Sequence, residues 1–167
     1  MNELPEYKLE RLFNAPHHLV WRTWTDPELL NEWYGPGAET IIHEFDPTPE
    51  GQWLNEMKYG DTSYYQKVIF KEVIENEKMV WHHHSSTDAD WNDAPNPMMP
   101  NWPPLLLTTV IFEELGDQTN VILTQVPMNA SDDEIASFAQ MMANMDGGWG
   151  SGYKIIDDLL QNLLKQS

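Results

Sequence analysis

Between Ala38 and Val126, apolar residues recur at about every second position, which is the spacing of β-strands that bury one face. Turn-forming residues divide this region into segments, and no helical pattern separates one segment from the next. Because parallel strands need long crossover connections, the short turns predict an antiparallel meander. The predicted strands are Glu39–Phe45, Gly51–Tyr59, Ser63–Ile74, Lys78–His84, Leu105–Leu115 and Thr119–Val126.

Two short helical patterns precede the meander. A strand is predicted over Tyr7–Phe13, and Asn14-Ala15-Pro16 then has the cap-and-proline arrangement that is typical of a helix start, with Asn14 as the cap. A second start follows at Asp26-Pro27-Glu28, and Gly35-Pro36-Gly37 ends that pattern. We therefore expect one strand and two short helices before the meander.

The C-terminal region carries one long amphipathic pattern. Ser131 and Glu134 have the spacing of a capping box, and apolar residues then recur at three- and four-residue steps over Ile135–Leu163. The pattern predicts a long helix with one buried face. Glycines between positions 147 and 152 interrupt it and leave two alternatives open. Either the helix breaks there, or the glycines let it approach another layer closely.

The segment 85–104 shows neither the alternation of a strand nor the three- and four-residue spacing of a helix, and it is rich in proline, tryptophan and methionine. Such segments inside a compact domain are commonly functional lids or disordered inserts. We expect a mobile insert beside a pocket mouth, in which Trp91, Met98, Met99 and Trp102 fold over the opening. Since 167 residues is an ordinary length for one domain, we expect a single domain over residues 1–167.

The charge balance excludes several classes of partner. The chain has 27 Asp and Glu residues against 9 Lys and Arg, which gives a formal net charge of −18 at pH 7. Because nucleic acids and anionic membranes are bound largely through Lys and Arg, we expect neither as a partner. The acidic surface is open to two interpretations: it provides solubility or adaptation to a habitat, or it steers a basic partner.

The absence of cysteine excludes disulfides, thiolate nucleophiles and Cys-ligated metals. No run approaches the roughly 20 apolar residues that are needed to cross a bilayer. The first 13 residues also lack the apolar stretch of a signal peptide. We therefore expect a cytoplasmic protein.

The sequence also resembles the heat-shock-protein-90 (Hsp90) ATPase activator homologue family, within the START and Bet v 1-like (SRPBCC) superfamily. The motifs that carry the resemblance are Arg11–Trp33, Gly51-Gln52-Trp53, Lys78–Trp81, Gly116 with Thr119, Val121 and Leu123, and Gly148-Trp149. The chain departs from the family pattern at Gln52, where the family has a second glycine, and in the length of the insert. The resemblance implies an α+β helix-grip fold, in which a seven-stranded antiparallel sheet wraps around the C-terminal helix.

This resemblance further implies a cavity between the sheet and the C-terminal helix. Alternation places Trp53, Asn55, Met57 and Tyr59 on one strand face, and Trp81 with His83 on another. We expect the cavity to bind or sense a small hydrophobic or aromatic ligand, although the same residues could simply fill a core. The predicted ligand-binding residues are Trp53, Tyr59, Trp81, His83, Phe138, Met142, Met145, Trp149 and Tyr153.

The run His82-His83-His84 raises a metal interpretation, in which His82 and His84 share a Zn²⁺ ion with His43, Asp88 or Asp90. Without cysteine or a helical His-Glu-x-x-His arrangement, we expect no metal and no cofactor. In the interpretation that we favour, two of these histidines face outward. The third, His83, faces inward, where it hydrogen-bonds a ligand or titrates near pH 6.5.

Two other functions stay open beside ligand carriage. An aromatase/cyclase-like enzyme could use His83, Tyr59, Tyr65 or Glu56, but no spacing singles out an acid–base pair, so no catalytic residue is assigned. A chaperone-interaction module acting in the stress response is the other alternative. We expect a carrier or sensor rather than an enzyme.

Overall fold

Seven antiparallel strands form one sheet in the order β1-β7-β6-β5-β4-β3-β2, so β1 and β2 are its edges. The computed structural model describes residues 4–34, 39–94 and 101–166. Within these ranges the elements are β1 Tyr7–Phe13, α1 His17–Thr25, α2 Pro27–Trp33, β2 Glu39–Phe45, β3 Gln52–Tyr59, β4 Thr62–Ile74, β5 Lys78–Thr87, β6 Leu105–Leu115, β7 Gln118–Pro127 and α3 Asp132–Gln166. The predicted helix-grip fold is confirmed, including the two short helices between β1 and β2.

Local hydrogen bonds explain where two of the helices start. At α2, the carboxylate of Asp26 accepts a hydrogen bond from the Glu28 amide at 3.1 Å, and Pro27 occupies the first turn. At α3, Ser131 and Glu134 form the predicted reciprocal capping box, with bonds of 2.8 and 3.2 Å.

The predicted cap of α1 is wrong. No side chain caps this helix, which begins after Pro16. Asn14 Oδ1 instead accepts a hydrogen bond from Gln118 Nε2 at 2.6 Å, because β1 and β7 are neighbours and bring these two positions together. A contact between residues so far apart in the chain has no local sequence signal.

The long helix α3 runs without a break through its glycines. A Cβ atom built at Gly152 would lie 3.0 Å from both the ring and the carbonyl oxygen of Trp33. At Gly150, by contrast, a Cβ would meet nothing within 4 Å. The second of the two alternatives therefore applies at Gly152, where the missing side chain lets α3 approach α2.

One face of the sheet packs against the helices. Register pairs such as Trp53 with Val68, and Phe70 with Trp81, place these buried side chains on the same inner face. On α3, the side chains of Phe138, Tyr153, Ile156 and Leu160 are also buried. Among the described helices, none combines the length and apolar character needed to span a bilayer.

The described parts of segment 85–104 are hydrogen-bonded to their surroundings. Strand β5 continues to Thr87, three residues beyond its predicted end, and a Thr87–Asp93 bridge closes a tight loop. At the other end of the segment, the carbonyl of Pro103 accepts a hydrogen bond from the Ser85 hydroxyl, and the carbonyl of Pro104 accepts one from the Ser85 amide. The predicted positions of Met98 and Met99 lie outside the described residues, and the mobility of the insert and the single-domain organisation stay predictions.

Candidate functional site

Aromatic side chains from five elements meet between the sheet and α3. The members of this aromatic cluster are Trp24, Trp33, Tyr34, Trp53, Trp81, Trp149 and Tyr153. Trp24 stacks on Trp149 with their ring centroids 6.2 Å apart, and Tyr34 meets Trp53 edge-on at 4.6 Å. Rings at these distances and angles attract one another beyond simple burial. The cluster therefore forms a continuous aromatic interior beneath α3.

The structure brings together most of the predicted ligand-binding residues. Trp53, Trp81, Trp149 and Tyr153 belong to the aromatic cluster, and His83 is in contact with Trp81. Met142 and Met145 are half-buried against the core. Phe138 packs against Trp102, with their ring centroids 5.4 Å apart.

Tyr59 is set apart from this group, because it is 48% exposed and contacts Tyr64 near the end of β3.

Three members of the cluster were not among the predicted site residues. Trp24 and Trp33 occur in the helical patterns of α1 and α2, where their spacing indicates burial without indicating what they contact. Tyr34 follows α2 and donates a hydrogen bond from its hydroxyl to Gln66 Oε1 at 2.9 Å. Burial raises the pKa of Tyr34 above its ordinary value, so the hydroxyl keeps its proton.

Several polar atoms in this interior have no hydrogen-bond partner among the described residues. They are Trp24 Nε1, Trp53 Nε1, both amide atoms of Asn55, and the Tyr153 hydroxyl. The indole of Trp33, by contrast, is paired, because its Nε1 donates to the Thr23 carbonyl at 2.8 Å. A buried polar group that lacks a partner costs about 1–3 kcal/mol. These atoms are therefore the groups that a bound molecule could satisfy.

His83 is a neutral side chain in this interior. It is 5% exposed, and burial lowers its pKa to about 4. Trp81 Nε1 donates to His83 Nδ1 at 3.4 Å, a long hydrogen bond that leaves the imidazole proton on Nε2. The expected titration near pH 6.5 is therefore wrong, since the protonated form would be desolvated. His83 offers hydrogen bonding rather than positive charge.

The candidates for an acid–base pair do not converge. Glu56 and Tyr65 face each other across β3 and β4, on the sheet face opposite to Trp53 and Val68. There, hydrogen bonds from Ser63 at 2.6 Å and His43 at 2.8 Å lower the pKa of Glu56. His83 lies on the inner face. The sheet therefore separates the carboxylate from the imidazole.

Trp91 also lies on the outer face, where its ring is 5.3 Å from both His43 and Tyr65. This position differs from the predicted one over the pocket mouth, whereas Trp102 does contact α3 through Phe138. His84 bonds Asp93 at 2.9 Å. Within the described ranges, no three His, Asp or Glu side chains converge in a way that could hold a metal ion.

A concave surface lies at the β2 edge of the sheet. This α2–β2 cleft has a volume of about 480 Å³ and is open to solvent. Its walls are formed by Pro27, Glu28 and Asn31 of α2 and by the residues 40–45 of β2. Its ionisable lining residues are Glu28, His43 and Glu44, so acidic residues outnumber the one histidine there.

Comparison with solved structures shows the same fold at low sequence identity. Protein Ms6760 from Mycobacterium smegmatis superposes with a TM-score of 0.76 and 20% identity, over 95% of this chain and 96% of that chain. A protein from Arthrobacter aurescens gives a TM-score of 0.77 and 21% identity, over 94% and 86% of the two chains. Protein NE0264 from Nitrosomonas europaea gives 0.72 and 19%, over 99% of each chain.

Sequence comparison shows the family. No curated protein sequence matches the chain significantly. The sequence profile of the activator of Hsp90 ATPase homolog 1-like proteins matches residues 14–161, which is most of the chain. The match includes the motifs between Arg11 and Trp149 on which the resemblance rests, apart from the first residues of the opening motif. The chain therefore belongs to the activator of Hsp90 ATPase homolog 1-like family.

Proposed function

We propose that this protein binds a small, largely hydrophobic or aromatic molecule between the sheet and α3. The observation that carries the proposal is the set of buried polar atoms, on three members of the aromatic cluster and on Asn55, that have no partner in the described part of the chain. A folded protein rarely leaves buried donors and acceptors without partners, and such atoms call for an explanation such as a ligand or an ordered water. Large aromatic walls with a few polar groups are the usual lining of a small-molecule site.

A thermal-shift screen of an apolar and aromatic compound library tests this function. A ligand present at 100 times its dissociation constant should raise the free energy of unfolding by about 2.7 kcal/mol. Trp149→Ala should abolish the shift, because Trp149 stacks on Trp24 from the helix side of the cluster. Trp91→Ala is the matched control, since Trp91 lies on the outer face of the sheet, and this variant should keep the shift.

Indole NMR signals locate the ligand independently of stability. The Nε1 protons of Trp24 and Trp53 have no partner among the described residues, so binding should move their resonances. The Trp33 signal should move less, because its proton is already donated to Thr23. If hits shift only exposed residues, or if the library yields no hit, the proposed function is wrong.

A chaperone contact is a second candidate, and the acidic α2–β2 cleft favours it. Glu28 and Glu44 give this cleft a charge that suits a basic partner surface. Purified Hsp90 should then be captured by the wild-type protein and lost with a Glu28→Lys, Glu44→Lys double variant. Capture that is unaffected by the charge reversal would argue against the cleft. An enzymatic function gains no support from the placement of His83 and Glu56, and the cytoplasmic location stays a prediction.

A further inference from the structure

The side chain of Asn55 differs from the other buried amide of the inner sheet face. Asn55 is 2% exposed, yet neither its oxygen nor its nitrogen has a partner among the described residues. Gln125 is equally buried, but its Nε2 donates to Thr108 Oγ1 at 3.1 Å. The fold thus pairs one buried amide internally and leaves the other with both a donor and an acceptor to offer.

The neighbours of Asn55 place further polar groups beside it. Asn55 lies opposite Gln66 of β4 on the inner face, and Trp53 lies two positions before it on the same face of β3. Gln66 Oε1 is occupied by the Tyr34 hydroxyl, whereas Trp53 Nε1 is unpartnered within the described part of the chain. This end of the interior therefore presents one acceptor, Asn55 Oδ1, and donors from Asn55 Nδ2 and Trp53 Nε1.

No positive charge faces this end of the interior from the described strands β2–β5. Three lysines of these strands lie on the outer face, because each is an odd number of positions from Trp53, Val68 or Trp81, the inward-facing residue of its own strand. They are Lys58, Lys67 and Lys78. Lys71 bonds Glu50 on the surface.

Two further groups on the inner side also supply no free cation. His83 is neutral, because burial lowers its pKa to about 4. Arg11 reaches α3 from β1 and is paired with Asp157. An anionic head group would have no counter-charge there, and burying an unpaired charge is costly.

We propose that Asn55 makes this site selective for an uncharged ligand whose polar end carries a hydrogen-bond donor and acceptor side by side, as in a primary carboxamide or a lactam. The proposal rests on the proposed function and names its ligand class. Such a group pairs with an amide through two hydrogen bonds, whichever way the Asn55 amide is turned. A carboxylate offers acceptors alone and would leave Asn55 Oδ1 without a donor.

Three compounds with one ring system test this selectivity: 2-naphthamide, N,N-dimethyl-2-naphthamide and 2-naphthoate. Calorimetric titration of the wild-type protein should give a dissociation constant at least about tenfold lower for the primary amide than for the other two, a difference of about 1.4 kcal/mol. Asn55→Leu keeps a similar side-chain volume and removes both polar atoms. It should bring the amide and the dimethylamide to similar affinity.

The stability of the unliganded protein gives a second readout. Asn55→Leu should leave the melting temperature unchanged or raise it, because the amide has no partner to lose among the described residues. Gln125→Leu is the matched control and should lower it, since Thr108 then loses its partner. A lower melting temperature for Asn55→Leu would overturn the proposal, because it would show that the free protein already satisfies Asn55.

The titrations separate failure of the selectivity from failure of the function. Equal affinities for amide and dimethylamide in the wild type overturn the selectivity and leave ligand binding standing. Tighter binding of the naphthoate, or no binding of any of the three compounds, also overturns the selectivity. The library screen then decides separately whether the site binds small molecules at all.

Discussion

Trp81 and His83 occupy successive inward positions of β5, and the contact between them fixes the state of the imidazole. His83 Nδ1 accepts from the indole at 3.4 Å, and burial disfavours the second proton. From the sequence, alternation indicated correctly that His83 faces inward with Trp81. Its low pKa could not be read from the sequence, because it depends on side chains that cover the imidazole from other elements.

Acid should destabilise the protein through His83. Its pKa is about 4 when folded and near 6.5 when unfolded, so the unfolded chain binds the extra proton between these values. The contribution of neutral His83 to the free energy of unfolding is then complete above pH 6.5. It falls by about 3 kcal/mol as the pH drops toward 4. Urea denaturation at a series of pH values measures this slope, and His83→Phe should flatten it.

Glu56 acts at lower pH, since hydrogen bonds from Ser63 and His43 hold its pKa below 4.5 and its stabilisation is lost only as that carboxylate is protonated. An undiminished slope between pH 4 and 6.5 in His83→Phe would contradict the account of His83.

At the scale of elements, α3 shows which features a linear pattern predicts. The capping box at Ser131 and the apolar spacing predicted its start and its buried face. The close approach to α2 at Gly152 could not be read from that pattern, because it depends on where the fold places Trp33. Likewise, β5 runs on to Thr87 through residues that lack apolar alternation, since pairing with β4 extends it.

Two glycine substitutions in α3 should have opposite effects. Gly152→Ala places a methyl group 3.0 Å from Trp33, and relieving that contact should cost about 1–3 kcal/mol of unfolding free energy. Gly150→Ala meets nothing within 4 Å and should stabilise the helix by about 0.5–1 kcal/mol. Chemical denaturation of both variants measures the difference. Equal effects at the two positions would show that α3 does not pack closely on α2.

At the scale of the molecule, periodicity and turns predicted the antiparallel meander, in which β2 to β7 each pair with a neighbour in the chain. The helix-grip arrangement was implied by the family resemblance, and the pairing of β1 with β7 has no local sequence signal. The interior was less predictable. Trp24, Trp33 and Tyr34 come from the N-terminal third of the chain, and they reach Trp149 and Tyr153 only through the packing of α1 and α2 against α3. Asn55 could have been found from its alternation with Trp53, but its lack of a partner is a property of the folded chain.

The central claim is that a small molecule binds between the sheet and α3, and a crystal structure of the protein with the tightest hit of the library screen tests it most directly. We predict that the compound lies against the aromatic cluster, with a polar atom within about 3.2 Å of the Asn55 amide or Trp53 Nε1. A compound bound in the α2–β2 cleft, with the interior unchanged at saturating concentration, would contradict the claim.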